Sequence, residues 1–196
     1  NVTGKSNLIR KGIAQIAIEP TYINAIKKYF SNVKFELVLY STPPITFCNA
    51  IKFVQKRDNA ESYLLLKDIF PQNAVDLGMI TKNGIKGIIY KYFRAKEKKL
   101  YNISNHIGCM SKANVKYVLD HNPEIAPNKV EVCPNAIEIV DQSVSTETRK
   151  KIREKYSIPQ DKMVFVYGGN LGKPQDIPFL IECLKEAQNV KNVYFL

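Results

Sequence analysis

Lys162-Met-Val-Phe-Val-Tyr-Gly168-Gly169-Asn170-Leu171-Gly172-Lys173, running on into Ile177-Pro-Phe-Leu-Ile-Glu-Cys-Leu184, is the stretch that decides the fold. Met163 to Tyr167 is an apolar, β-branched and aromatic run of strand length. A glycine-rich turn and an amphipathic helix follow it. Strand, glycine turn and helix in that order mark the place in an α/β fold where main-chain N–H groups converge on a phosphate. Glycine permits φ > 0 and close approach, and a helix N-terminus adds a favourable dipole. The turn is neither the dinucleotide G-x-G-x-x-G nor the Walker G-x-x-x-x-G-K-[ST]. A tight strand-to-helix turn that uses glycine only for packing is the alternative. One short strand, Val193 to Leu196, comes after it, so the stretch reads as the opening of a second domain that the chain does not finish.

Outward from this point, helices and strands alternate. Leu8 to Ile18 reads as an amphipathic helix, and Pro20 as the start of a second one through Phe30, because proline suits a first helical position. Strands are expected at Lys34–Tyr40, Tyr63–Leu66, Ile107–Met110 and Lys129–Cys133. Between them the pattern predicts helices from Thr42-Pro43-Pro44 to Val54, over Asn73–Met79, along a long basic stretch, and over Lys112–Leu119. Strands spaced in this way predict right-handed crossovers and an α/β fold with a mainly parallel sheet, helices on both faces. From Pro134 the sequence turns polar and rich in breakers, and Ser145 with Thr148 reads as the cap of a charged helix, Glu147–Tyr156. The expected domains are residues 1–139 and 140–196.

Composition excludes several classes. With 196 residues and 45% hydrophobic content, a full core and part of another are available. Cys48, Cys109, Cys133 and Cys183 are scattered without a C-x-x-C pair, which favours buried free thiols and a reducing compartment. No run of about 18 apolar residues is present, and no secretory signal is evident. The chain begins at Asn1 rather than methionine, so a natural N-terminus is expected to lie upstream. The Asn1-Val-Thr3 and Asn102-Ile-Ser104 sequons carry no weight in a cytosolic protein.

The net charge is +11, and it is uneven. Lys82, Lys86, Lys91, Arg94, Lys96, Lys98 and Lys99 face the single acid Glu97 within residues 82–101, among Ile88, Ile89, Tyr90, Tyr92, Phe93 and Leu100. Three readings are open: a helix that packs its apolar face and solvates its lysines, contact with anionic lipid, or contact with nucleic acid. The chain lacks a recognition-helix or RNA-platform signature, so no nucleic-acid partner is expected.

In open α/β sheets ligands lie beyond the carboxyl ends of the strands. Those ends are Ser41-Thr42-Pro43-Pro44, Lys67-Asp68, Met110-Ser111 and Pro134-Asn135, besides the glycine turn. Asp68, the only acid among them, reads either as a hydrogen-bond acceptor for a sugar hydroxyl or as a cap for the segment from Phe70. His106 and His121 lack partners at metal spacing, and neither a zinc signature nor a Ser/His/Asp set is evident.

Leu64-Leu65-Leu66-Lys67-Asp68-Ile69-Phe70-Pro71 resembles the "L-R-D-I-F/W-P" segment of bacterial group 1 (family 4) glycosyltransferases, enzymes of capsule, O-antigen and exopolysaccharide assembly. In the same order, Tyr92-Phe93-Arg94 through Glu97 to Tyr101 resembles their "F-x-x-x-E-x-x-x-Y" helix, and Ile107 to Asn114 their "I-x-x-M-S-x-x-N". Val130-Glu131-Val132-Cys133-Pro134-Asn135 resembles "V-x-V-x-P-N", and Gly168 to Gln175 the "G-G/N-x-G-x-x-Q-G" loop that opens their C-terminal domain. The ordered set spans the chain from about Lys34 onward.

The resemblance implies a GT-B fold, with an acceptor-side N-terminal domain and a nucleotide-sugar domain after it, and transfer of a sugar with retention of configuration and without a metal or other cofactor. Gly168, Gly169, Asn170, Gly172 and Lys173 would meet the donor diphosphate, for instance of a UDP-sugar; Asp68 would face the sugar, and Asn135 with Ser111 would lie at the hinge and cleft. A lipid-linked saccharide is the implied acceptor, with Lys91, Arg94, Lys98 and Lys99 on an acceptor or membrane face. The implied setting is the bacterial cytoplasm, peripheral on the inner face of the cytoplasmic membrane. Two departures matter. Many relatives carry arginine at the position of Asn170 and lysine-glycine at Gln175-Asp176, which leaves Lys173 to supply charge. The donor-sugar glutamates of the family would fall beyond Leu196, so the chain as given is expected to be inactive. The alternatives are another α/β sugar-nucleotide enzyme, epimerase-like, and a non-catalytic basic module that binds lipid.

Overall fold

A computed structural model describes residues 8–196, without the side chains of residues 8–17, 85, 86 and 173. The Asn1-Val-Thr3 sequon lies outside the described residues. The chain divides into two compact units, Asn1–Ala136 and Ile137–Leu196; the expected boundary lies near residue 140.

The first unit is α/β with a parallel sheet. Strands β1 (Leu37–Ser41), β2 (Glu61–Leu66), β3 (His106–Cys109) and β4 (Val130–Val132) lie side by side in chain order. The register sets Tyr40 beside Leu64 and Leu64 beside Ile107, which itself faces Val130. Helix α1 (Leu8–Tyr29) precedes β1, and α2 (Cys48–Asp58) links β1 to β2. Helices α3 (Gln72–Asp76) and α4 (Gly84–Ile103) link β2 to β3, and α5 (Lys112–His121) links β3 to β4.

The first unit has the expected Rossmann-like α/β arrangement, and the helices that link its strands pack on one face of the sheet. Right-handed crossovers between strands that neighbour each other in chain order all fall on one side of the sheet. On that side Leu64, Leu66, Ile107, Cys109 and Val130 form the core with Ile51, Leu100 and Val118 of the helices, and Val38 and Tyr40 pack against it. On the other side Leu37 and Leu39 are 53% and 60% exposed.

Pro20 does not restart a helix. It sits inside α1, which is continuous. An interior proline forfeits one helical hydrogen bond, and tertiary contacts on either side of it hold the helix together. Just before it, the Glu19 carboxylate accepts hydrogen bonds from the Asn49 main-chain N–H, the Asn49 side-chain amide (2.9 Å) and the Ala50 N–H (3.2 Å). Helix α2 has no side-chain cap of its own at Phe47, so Glu19 supplies the missing acceptors at its positive end. Just after it, the Tyr22 ring packs on Phe47 at 5.1 Å between centroids.

Two networks pair polar groups that enter the core. Ser62, fully buried on β2, bonds to Ile103 O and to Asn105 Oδ1, and Gln55 Nε2 donates to all three of these partners' oxygens. Arg94 on α4 donates to Glu97 (2.6 Å), to His121 O (2.8 Å) and to Asn122 Oδ1 (2.7 Å), and Tyr101 donates to the other Glu97 oxygen (2.7 Å). This network fastens α4 to the end of α5.

The second unit carries α6 (Thr146–Lys155), β5 (Met163–Phe165), α7 (Ile177–Glu186) and β6 (Val193–Phe195), with β5 and β6 paired in parallel. Ser145 caps α6 as expected, accepting from the Thr148 N–H at 3.1 Å. Its apolar face is open: Met163, Phe165, Phe179 and Ile181 are exposed. Of the four thiols, Cys48 and Cys109 are buried, Cys133 is half-buried and Cys183 is exposed. The expectation of burial therefore fails at Cys183, which sits on the uncovered side of α7. Among the described residues no helix is long and apolar enough to cross a membrane.

Candidate functional site

The glycine turn leaves β5 at its carboxyl end, and Gly168, Gly169 and Asn170 are exposed. None of Gly168, Gly169 and Gly172 has φ in the left-handed region, so conformational freedom is not what glycine supplies there. Open space is: a Cβ at Gly168 would meet nothing within 4 Å, and one at Gly169 only the Tyr167 ring, from 3.5 Å. The Tyr167 hydroxyl donates to Asn170 O at 2.8 Å and pins the turn. The Gly172 N–H donates to Gln175 Oε1 at 3.2 Å, while the Gln175 N–H returns to Gly172 O at 3.1 Å. A neutral amide oxygen thus occupies one donor that an anion would use.

The turn does not run straight into the helix. A 3₁₀ turn over Lys173–Gln175 intervenes, and α7 begins at Ile177. Its N-cap, Asp176, has φ 46° and ψ 59° and makes no side-chain cap. This is the left-handed region, where a side chain costs energy and glycine does not. Asp176 stands where the resemblance places a glycine, a signal of backbone geometry that the substitution hides. Asp176→Gly is expected to raise the melting temperature, by up to about 1 kcal/mol of stability, since aspartate tolerates this region better than most residues. A thermal melt that moves downward would sink this expectation.

In the first unit the strand-end residues take separate positions. Thr42, 2% exposed, donates from Oγ1 to Asp68 O at 3.1 Å and ties the ends of β1 and β2 together. The Asp68 side chain is exposed, and it does not cap α3, whose N-cap is Pro71 without a side-chain bond. Ser111 caps α5, accepting from the Asn114 N–H at 3.2 Å and bonding Asn114 Oδ1 at 3.1 Å. Asn135 is exposed, next to Ala136 where this unit ends. Gly108 on β3 allows a close approach: a Cβ there would lie 2.6 Å from the Tyr63 hydroxyl and from Cys133 Cβ.

The basic residues of α4 split into two groups. Lys91 and Lys99 are exposed, on a face that also carries Ile88 and Tyr92. Arg94 is turned away from it, while Lys98, two turns after Lys91 and with its side chain 43% exposed, stays beside it. Arg94 is committed to the network above, and Lys98 pairs with Glu124 at 2.9 Å. Of the four expected residues, Arg94 is drawn into the network, and Lys91, Lys98 and Lys99 stay at the surface, Lys99 with its ammonium 3.4 Å from Asn49 Oδ1. His121 stacks on Tyr117, and His106 stacks against Tyr63.

Among the described residues, several of the shifted ionisable groups belong to packing. Burial pushes the Tyr40 hydroxyl up to about 12 and the Cys109 thiol up to about 11. Burial also raises the Glu97 carboxyl, against the lowering effects of Tyr101 and Arg94. No group of three or more His, Cys, Asp or Glu side chains placed to hold a metal occurs among the described residues.

Sequence reasoning passed over one cluster. Ile69, Gln72, Asn73 and Asp76, beyond β2, line a cavity of about 290 Å³ with Ala113, Asn114 and Tyr117 of α5. The available signal was the pair of consecutive amides just past a strand end. A larger cavity of about 750 Å³ lies in the second unit against Phe165, Leu180, Cys183 and Phe195, and its lining is almost wholly apolar.

The chain matches no protein-family model, and no curated protein matches it.

Proposed function

We propose that the chain serves a retaining glycosyltransferase, the first unit taking a saccharide acceptor and the second a nucleotide sugar. The observation that carries this reading is the glycine turn at the carboxyl end of β5, with exposed main chain and room for a ligand to approach. Diphosphate oxygens would take the N–H groups of Gly169, Asn170 and Gly172, displacing the Gln175 amide from the last. As the bond from the sugar C1 to the diphosphate oxygen breaks, negative charge grows on the leaving nucleotide, and fixed N–H donors stabilise it most at that moment. Lys173 is assigned the compensating positive charge and Asp68 a hydroxyl of the sugar; both assignments rest on the resemblance in sequence.

Titration with UDP-, GDP- and ADP-sugars, followed by the main-chain amide resonances of residues 168–172, tests the reading. Saturable shifts confined to this turn are expected. A protein that binds none of them returns the turn to a packing role.

The face of α4 extends the proposal to an anionic membrane carrying a lipid-linked acceptor. Ile88 is 67% exposed and Tyr92 54%, with Lys91 and Lys99 beside them, a pairing of apolar and basic groups that suits a lipid interface. Lys91→Gln with Lys99→Gln is expected to weaken binding to anionic vesicles by about 2 kcal/mol, at about 1 kcal/mol for each surface cation. Co-sedimentation measures it, and wild-type binding should fall with added salt. Equal partitioning of the two proteins would make α4 a plain packing helix. Vesicle binding without any response to nucleotide sugars would favour the basic lipid-binding module instead.

A further inference from the structure

We propose, independently of the transferase reading, that the free edge of β1 joins the same edge of a second copy of the chain. The product is a twofold dimer whose parallel sheets meet in one antiparallel seam.

The edge is open and lacks the features that keep strands apart. β1 stands at one end of the sheet order, and among the described residues no hydrogen bond reaches its main chain from the outer side. Edge strands are ordinarily protected by a lysine, a proline or a bulge. Leu37-Val-Leu-Tyr-Ser41 has neither charge nor proline, and its register with β2 is unbroken.

The groups that point outward fix the pairing. The Glu61 N–H donates to Glu36 O at 2.8 Å and the Thr42 N–H to Leu65 O at 3.2 Å, so even-numbered residues face β2. Alternation along the strand turns the N–H and C=O of Leu37, Leu39 and Ser41 to the outer edge. A twofold axis at Leu39 sets Leu37 opposite Ser41 of the second copy and Leu39 opposite its own counterpart, and pairs every one of these groups. An axis at Val38 would call on Phe35, whose N–H is already taken by Asp58 at 3.1 Å. An axis at Tyr40 would call on Pro43, which has no N–H.

Charge selects the partner. The chain carries +11, so two copies repel over most of their surface. At this edge they meet without cations: no charged residue occurs from Leu37 to Ile51, or from Pro20 to Ile26 of α1. An acidic lipid or a nucleic acid finds nothing to bind there, whereas a neutral strand does.

Apolar surface waits on both sides of the strand. On one side Leu37 and Leu39 are more than half exposed. On the other, Tyr22 and Ile26 of α1, Phe47 and Ile51 of α2 and β1 itself border a cavity of about 300 Å³ beside the edge. Opposed residues of an antiparallel pair share a face. The axis therefore sets Leu39 of both copies in contact on the first side, with both cavities along the seam on the second.

The test is sedimentation velocity of the whole chain across protein and salt concentrations, with hydrogen exchange of the β1 amides. A dimer is expected, strengthened by concentration and by added salt, which screens the repulsion between copies. In it the amides of Leu37, Leu39 and Ser41 should exchange more slowly than in the monomer, while those of Val38 and Tyr40, bonded to β2, change little. Because Leu39 is exposed, replacing it should leave the melting temperature in place. Leu39→Lys and Leu39→Glu each set like charges opposite one another, and each should be monomeric. Mixed in equal amounts, the two variants should recover a dimer. A wild-type protein that stays monomeric at every concentration and salt would overturn the proposal. So would a dimer that both variants keep, protection that spares Leu39, or a mixture of the variants that does not pair.

Discussion

Glu97→Ala is expected to destabilise the first unit by about 3–5 kcal/mol, the range for breaking a buried ion pair from one side. Glu97 is 4% exposed and Tyr101 1%, and the carboxylate takes both the Arg94 guanidinium and the Tyr101 hydroxyl. Alanine would leave a nearly buried cation and a buried hydroxyl unpaired at once. It would also loosen the hold of Arg94 on Asn122, and with it the join between α4 and α5. Denaturant unfolding measures the loss. Glu97→Gln should cost less, because an amide turned with its oxygen toward Arg94 still offers a nitrogen to Tyr101. The two proteins should also differ in pH dependence. Burial raises the Glu97 carboxyl above its ordinary 4.5, so the folded state holds this proton more tightly than the unfolded one. That contribution is fully present below pH 4.5 and is lost as pH rises through the folded value. The stability of wild type relative to Glu97→Gln should therefore fall on that rise, and a gap that widens in favour of wild type would refute the assignment.

The same glutamate shows where sequence reading stopped. The basic run of residues 82–101 advertises charge, and charge alone does not separate a solvated lysine from an arginine locked in a core. Arg94 is placed by Asn122 and His121, more than twenty residues away, and no local pattern points to them. Strands were easier. Leu64 and Leu66 alternate with half-buried Tyr63 and Leu65 on β2, and a short apolar run bounded by polar residues is enough to find such a strand. The layer arrangement was not legible, because which face the helices cover depends on the order of strands in the sheet. Pro20 failed as a helix start for a similar reason: Glu19 and Tyr22, on either side of it, find their partners on and just before α2. In the candidate site, the position of the glycine turn at the end of a strand was readable. Its backbone was not, since the left-handed residue is Asp176 rather than any of the glycines.

Gly169→Val is expected to weaken nucleotide-sugar binding by about 1–3 kcal/mol, the scale for losing charge-assisted hydrogen bonds to a diphosphate. The position is suited to the experiment because the fold places little against it. A Cβ at Gly169 touches only the Tyr167 hydroxyl and ring, at ordinary van der Waals separation, and the residue does not need positive φ. Valine should therefore leave the melting temperature near that of wild type, while its branched side chain stands in the space from which phosphate oxygens would approach the turn. Isothermal titration with the tightest-binding nucleotide sugar measures the effect, and the free nucleoside diphosphate should lose as much affinity as the sugar nucleotide does. A loss confined to the sugar nucleotide would move the contact from the diphosphate to the sugar. Unchanged affinity for both would mean that the glycines serve the turn from β5 toward α7 and nothing more, and the candidate donor site would then have to be sought away from this strand.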